Sequence, residues 1–206
     1  MNKKFLTLSA TGVAAAIALA GCSTGSGGGA MPGMSHSGSS APSSSATSSS
    51  APAAAGDHNG ADTAFAQTMI PHHAQAVEMS EMMLKKQGIP ASVTALATKI
   101  KAAQGPEIET MTGWLTSWHE STQMSAGHSM TGMMGGEDLK KLDAAQGTEA
   151  ARLFLNQMVA HHEGAVMMAK TENTNGKNAD AVNLSKAIVT AQEAEIQEMR
   201  GLLAGP

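Results

Sequence analysis

Apolar side chains recur at intervals of three and four along four long stretches of the chain, the spacing of one helix face. The first series runs Phe65, Met69, His72 or His73, Ala76, Met79 and Met83, and the second Ile100, Gln104, Ile108, Met111, Leu115 and Trp118. The alternation of a half-buried strand is absent. Asp62 is a candidate N-cap and Gly88 with Pro90 a C-terminal stop, which predicts a first helix over Asp62 to Gln87. A second starts at Ala91 or Ser92 and ends near His119. A third runs from Thr148 to Thr171 and a fourth from Asp180 to Leu203, with Asn173 to Asn178 as the turn between them. Pro71 and Gly105-Pro106 fall inside the first two helices. They predict kinks, not breaks, because the matching positions of the second half, Ala160 and Glu193-Ala194, are ordinary helix formers.

The helices repeat. Phe65-x3-Met69-x2-His72-His73-x2-Ala76-Val77-x-Met79 recurs as Phe154-x3-Met158-x2-His161-His162-x2-Ala165-Val166-x-Met168, offset by 89 residues. Ile100-x3-Gln104-x2-Glu107-Ile108-x2-Met111-x3-Leu115 recurs as Ile188-x3-Gln192-x2-Glu195-Ile196-x2-Met199-x3-Leu203, offset by 88. Two blocks at nearly one offset imply duplication of a two-helix unit. The expected fold is all-α, a four-helix bundle built from a duplicated helical hairpin. The first hairpin spans 61–119, a long Met- and His-rich connection 120–147, and the second hairpin 148–206. Within the connection, Glu137 to Ala145 predicts a short helix. A helix of about 28 residues is about 42 Å long, and sixteen extended residues cover about 50 Å. The connection can therefore run from one end of the bundle to the other, although a simple up-and-down path also fits.

The N-terminus has a different character. Met1 to Gly21 has a positive start at Lys3 and Lys4 and an apolar run from Val13 to Ala20, the layout of a secretory signal too short to span a membrane permanently. Its end, Leu19-Ala20-Gly21-Cys22, resembles the bacterial lipobox. That resemblance implies cleavage before Cys22 and diacylglycerol on its sulfur, hence an extracytoplasmic protein held at the cell membrane by lipid. Residues 22–60 carry the lipidated Cys and a Ser/Gly/Ala/Pro tether that cannot bury enough apolar surface to fold. Met31, Met34, His36 and His58 are scattered through it, most economically as tail residues.

Composition narrows the chemistry. The 206 residues include 16 Met but three Phe, two Trp, no Tyr and one Cys. A single Cys excludes a disulfide framework and Cys-based zinc or iron–sulfur sites. Thirteen basic against 17 acidic residues give a net charge of −4, which excludes the basic surface that nucleic acid requires. With so few aromatics, Met either fills the core or has chemistry to do. For Met79, Met82, Met83, Met111, Met167, Met168 and Met199, helical spacing favours core. Met79 and Met168 in particular lie about 10 Å along the axis from the His doublets, too far to share an ion with them.

The doublets carry the candidate site. Neighbouring helical residues point about 100° apart, so one His of each pair can face the bundle interior and the other a groove. Met69 and Met158 lie one turn earlier on the same face. The candidate metal ligands are therefore His72, His73, His161, His162, Met69 and Met158. A secondary set, Met124, His128, Met130, Met133 and Met134, lies in the connection and suits either a soft-metal-capturing loop or a hydrophobic lid. Imidazole with thioether and no thiolate points to copper, as Cu(I) or Cu(II). Zinc fits less well because HExxH spacing is missing. A di-iron site would need Glu-x-x-His, whereas Glu107 and Glu195 are followed three residues on by Thr110 and Glu198. The same two Glu, with Gln104 and Gln192, suit either orientation of the His rings or plain interhelical bonding. A buried His network that only holds the halves together is the structural alternative.

Ile70-Pro71-His72-His73, His161-His162-Glu163-Gly164-Ala165, Gln104-x2-Glu107-Ile108-x2-Met111 and the Met/His connection together resemble the secreted bacterial family called domain of unknown function 305. The resemblance covers nearly all of Asp62 to Leu203. It implies a ferritin-like, duplicated four-helix fold, and in copper-binding members of the CopM type, metal held by Met and His. The matching positions are His72, His73, His161 and His162, with Met69 and Met158 beside them. The expected function is copper binding for sequestration, tolerance or transfer, with copper-donor or copper-acceptor proteins as partners and self-association left open. No catalytic group beyond the ligands is evident, so a copper-dependent oxidase is the second reading and a metal-free envelope interaction module the third.

Overall fold

The computed structural model describes residues 57–124 and 130–205. Cys22, the signal segment, the tether residues Met31, Met34 and His36, and the connection residue His128 lie outside the described residues. The described residues form five helices and no strand: α1 (Gly60–Lys85), α2 (Ala91–Ser117), α3 (Gly136–Ala144), α4 (Gly147–Asn175) and α5 (Ala179–Ala204). Among them, no helix is long and apolar enough to cross a membrane.

The helix ends follow local chemistry. The cap of α1 is Asn59, not Asp62. The Asn59 side chain accepts from the Ala61 and Asp62 amides at 2.8 and 3.2 Å, and Asp62 returns the bond by accepting from Asn59 N at 2.6 Å. This reciprocal box satisfies amide donors that a helix start otherwise leaves open. Helix α1 continues through Pro71 and α2 through Pro106. Helix α4 outlasts its predicted end by four residues, reaching Asn175.

Helices α1 and α2 pack as one hairpin, α4 and α5 as the other, and α1 against α4 joins the two. Two apolar clusters show the relative directions. One combines Met79 and Met83 from the C-terminal half of α1 with Phe154, Leu155 and Met158 from the N-terminal half of α4. The other combines Phe65, Ala66 and Met69 from the start of α1 with Ala165 and Ala169 near the end of α4. Thus α1 and α4 run antiparallel. Trp118, just past α2, lies in the cluster at the start of α1, whereas Gly147, which opens α4, lies beside Gly88 at the other end. The connection therefore travels the length of the helices, the end-to-end path that its length allows.

Candidate metal centre

Between the two apolar clusters, at the crossing of α1 and α4, lies a layer of four imidazoles. His72, His73 and His162 are fully buried and His161 is 1% exposed. The doublets bring two rings from each helix into this layer because the helices are antiparallel and each doublet sits near mid-helix. The His72 and His161 rings stand 3.8 Å apart between centroids, tilted by 40°, and His161 and His162 are 6.3 Å apart.

Each duplicated unit holds one ring with a carboxylate from its second helix. His73 Nε2 lies 2.7 Å from Glu107 Oε2, and His162 Nε2 lies 2.9 Å from Glu195 Oε2. The two pairs occupy matching positions of the repeat. They differ in surroundings: Glu107 is 22% exposed, whereas Glu195 is 6% exposed and has Lys99 Nζ at 3.5 Å. Burial raises the Glu195 carboxyl, but the bond with His162 and the Lys99 charge outweigh it and leave the carboxyl below its ordinary value.

The other two rings lack a charged partner. His72 Nε2 lies 3.1 Å from the Thr131 carbonyl oxygen, and neither nitrogen of His161 has a partner. Burial, opposed by the Thr131 carbonyl and aided by neighbouring imidazoles, lowers His72 to about 4. Burial and the same crowding lower His161 to about 2. Both rings are neutral at ordinary pH, the state a metal ligand requires. In all, Nδ1 of all four rings and Nε2 of His161 are buried without any hydrogen-bond partner. Buried polar atoms are normally satisfied, so five orphaned nitrogens in one layer fit a bound ion. Among the described residues, no three His, Cys, Asp or Glu side chains are arranged to hold one ion. The described residues therefore offer no all-imidazole zinc cage.

The structure places the predicted thioethers apart. Met69 and Met158 are both fully buried, one in each apolar cluster, so they flank the imidazole layer from opposite sides. Met79, Met83, Met111 and Met199 are core as expected. Met167 is not, being 55% exposed.

In the connection, Met124, Met130, Met133 and Met134 are half-buried. Residues 130–134 form a strap over the imidazole layer. Met134 N donates to Gln75 Oε1 at 2.7 Å, and Gln75 Nε2 donates to the Met134 carbonyl at 3.0 Å. On the facing helix Gly164 makes room, since a Cβ there would collide with the Thr131 carbonyl. Gly132, at φ +88°, approaches α4 so closely that a Cβ would stand 2.7 Å from the Ala160 carbonyl oxygen. Sequence reasoning assigned no role to Thr131, Gln75 or Gly164. The signal that finds the last two is a departure from the repeat: Gln75 and Gly164 are 89 positions apart, and the strap treats the two helices differently there.

The profile of the domain of unknown function DUF305 matches residues 62–203. Among solved structures, the chain is similar to a DUF305 protein from Streptomyces coelicolor classed as secreted. The two share 34% identity and a TM-score of 0.67 over 70% of this chain and 92% of that one. A DUF305 fragment from Deinococcus radiodurans is 30% identical at a TM-score of 0.65, covering 71% of this chain and 97% of the fragment. CopM in the Cu(I)-bound form is 33% identical at a TM-score of 0.59, covering 68% of this chain and 94% of CopM. CopM has also been solved with Cu(II) and with Ag. No curated protein matches the chain.

Proposed function

The chain belongs to the DUF305 family, and on that premise we propose that it is an extracytoplasmic copper-binding protein. It takes the metal at the imidazole layer for sequestration, tolerance or transfer. The observation that carries this reading is the set of five buried, unpartnered ring nitrogens gathered from two helices. His72, His73, His161 and His162 would supply imidazole, and Met69 and Met158 thioether from the adjoining clusters. Met130, Met133 and Met134 stand at the mouth of the layer as capture ligands. The bound ion adds no acid–base group; the chain's own residues exclude water and hold the rings in place. The similarity to CopM, solved with Cu(I) and Cu(II), supports copper as the metal. In this reading the four long helices form a ferritin-like bundle of two repeated units spanning 61–206. Residues 1–21 are a lipoprotein signal, Cys22 carries the lipid, and 22–60 tether the domain to the membrane, where it meets copper-donor or copper-acceptor proteins.

A competition titration of the purified protein against a Cu(I) chelator, with and without reductant, tests this. Wild type should withdraw Cu(I), and His161→Ala should weaken binding by at least about tenfold. Replacing Met130, Met133 and Met134 together by Leu should slow loading but leave the capacity intact. Loss of all copper in the Leu variant, with none lost in His161→Ala, would move the site to the connection. No withdrawal by wild type would leave a metal-free envelope module, and oxygen consumption by the loaded protein would favour an oxidase.

A further inference from the structure

We infer that the protein binds its metal through Nδ1, not Nε2, of His72, His73 and His162, with Glu107, Glu195 and the Thr131 carbonyl as the positioning groups. This rests on the metal-binding reading above and specifies its ligating atoms.

The ring tautomers decide which nitrogen is free to ligate. A carbonyl oxygen and an ionised carboxylate only accept hydrogen bonds. His72 Nε2 faces the Thr131 carbonyl at 3.1 Å, His73 Nε2 faces Glu107 at 2.7 Å, and His162 Nε2 faces Glu195 at 2.9 Å. Each Nε2 therefore carries the hydrogen and donates it. A metal ligand must be the neutral imidazole, which has one ring hydrogen; with that hydrogen on Nε2, the lone pair offered to an ion is at Nδ1. All three Nδ1 atoms are buried and unpartnered. An outer acceptor that fixes the tautomer and raises the basicity of the opposite nitrogen is the usual support of a metal-bound His.

His161 differs, having no outer acceptor on either nitrogen. It is the one ring of the layer free to present either atom, and it lies against His72. Because Nδ1 is next to the ring carbon that bears the side chain, ligation there draws the ion toward the backbones of α1 and α4. No three imidazole or carboxylate groups among the described residues meet at one ion, so each ion takes at most two of these Nδ1 atoms.

Long-range ¹H–¹⁵N correlation spectra of the intact ¹⁵N-labelled chain read each ring directly, with diamagnetic Ag(I) as the probe. Before metal, His72, His73 and His162 should show a protonated Nε2 and an unprotonated Nδ1, and His161 a mixture. On adding Ag(I), the Nδ1 resonances should move while the Nε2 protons persist. Displacement of Nε2 instead would overturn the assignment but keep the metal-binding reading; no ring responding to Ag(I) would remove both. Glu107→Ala should release His73 into mixed tautomers and weaken Ag(I) binding by about 10–100-fold. Glu107→Gln, whose carbonyl oxygen still accepts, should restore the Nε2-protonated form. A purely structural Glu107 would leave the tautomer unchanged in both variants.

Discussion

At the scale of single residues, the imidazole layer is costly to fold around protons. His72 and His161 have native values of about 4 and about 2, against about 6.5 in an unfolded chain. Below about pH 6.5 the unfolded state takes up protons that the native state refuses, so stability is full above that pH and falls as pH drops toward 4. Each ring contributes a slope of about 1.4 kcal/mol per pH unit in that window. Glu172 works the other way. It is 1% exposed with neither oxygen finding a donor, and burial beside Asp62 raises it to about 8. Its stabilisation is full below about pH 4.5 and lost as pH rises through 8. Two rings against one carboxyl leave a net loss on acidification. The melting temperature of the apo protein should therefore fall steadily from pH 6.5 to 4, and a flat profile would contradict the burial of the two rings. The doublets themselves were legible in the sequence because they recur at one offset with a Met one turn before each. Their outer partners were half legible: Glu107 and Glu195 stood out at equivalent positions on an apolar face, but spacing alone could not say that they reach His73 and His162. The partner of His72 was not legible, since a backbone carbonyl leaves no residue-type signature.

At the scale of elements, periodicity located the four long helices to within a few residues, because each buries an apolar stripe at helical spacing. What it could not supply was the course of the connection. A Gly- and Met-rich segment carries no period, and its position depends on two particular features of the helices it crosses, the Gln75 amide and the missing side chain at Gly164. The prediction at this scale is that Gly164→Ala will lift the strap from α4. The helix itself tolerates Ala better than Gly by about 1 kcal/mol, so any destabilisation reports the strap. The clash with Thr131 should outweigh that gain, at about 1–3 kcal/mol for an overpacked site. Denaturant midpoints measure the net effect, and loss of the Nε2 bond of His72 should appear in the same ring spectra. A variant more stable than wild type would mean that the strap is not held there.

At the scale of the whole molecule, the duplication is faithful at the centre and broken at the two ends. Met83 and Ala151 lie together in the apolar cluster at one end. Adding and subtracting the repeat offset gives Glu172 and Asp62, which occupy the opposite end as a buried carboxyl pair. Asp62 accepts from the Asn59, Lys177 and Asn178 amides, and these bonds, with Glu172, hold it below its ordinary value although burial raises it. Burial beside Asp62 then keeps the proton on Glu172. Glu172→Gln retains a donor that does not titrate. The variant should melt higher than wild type at pH 8 and near it at pH 5, which a thermal series at the two pH values checks. An equal shift at both would show that Glu172 is ionised throughout. The signal in the sequence was an acidic residue in the register of a core Met, legible only once the two halves are superimposed.

The same end of the fold receives the chain from its N-terminal side. His58 stacks on Trp118 at 4.5 Å with 5° between the planes, Asn59 Nδ2 donates to the Asn175 carbonyl at 2.9 Å, and Asp62 binds the turn between α4 and α5. Tension applied through the residues before Asp57 therefore enters α2 and both hairpins within the first turn of α1. Those contacts lie at the rim of the domain, half a helix away from the imidazole layer.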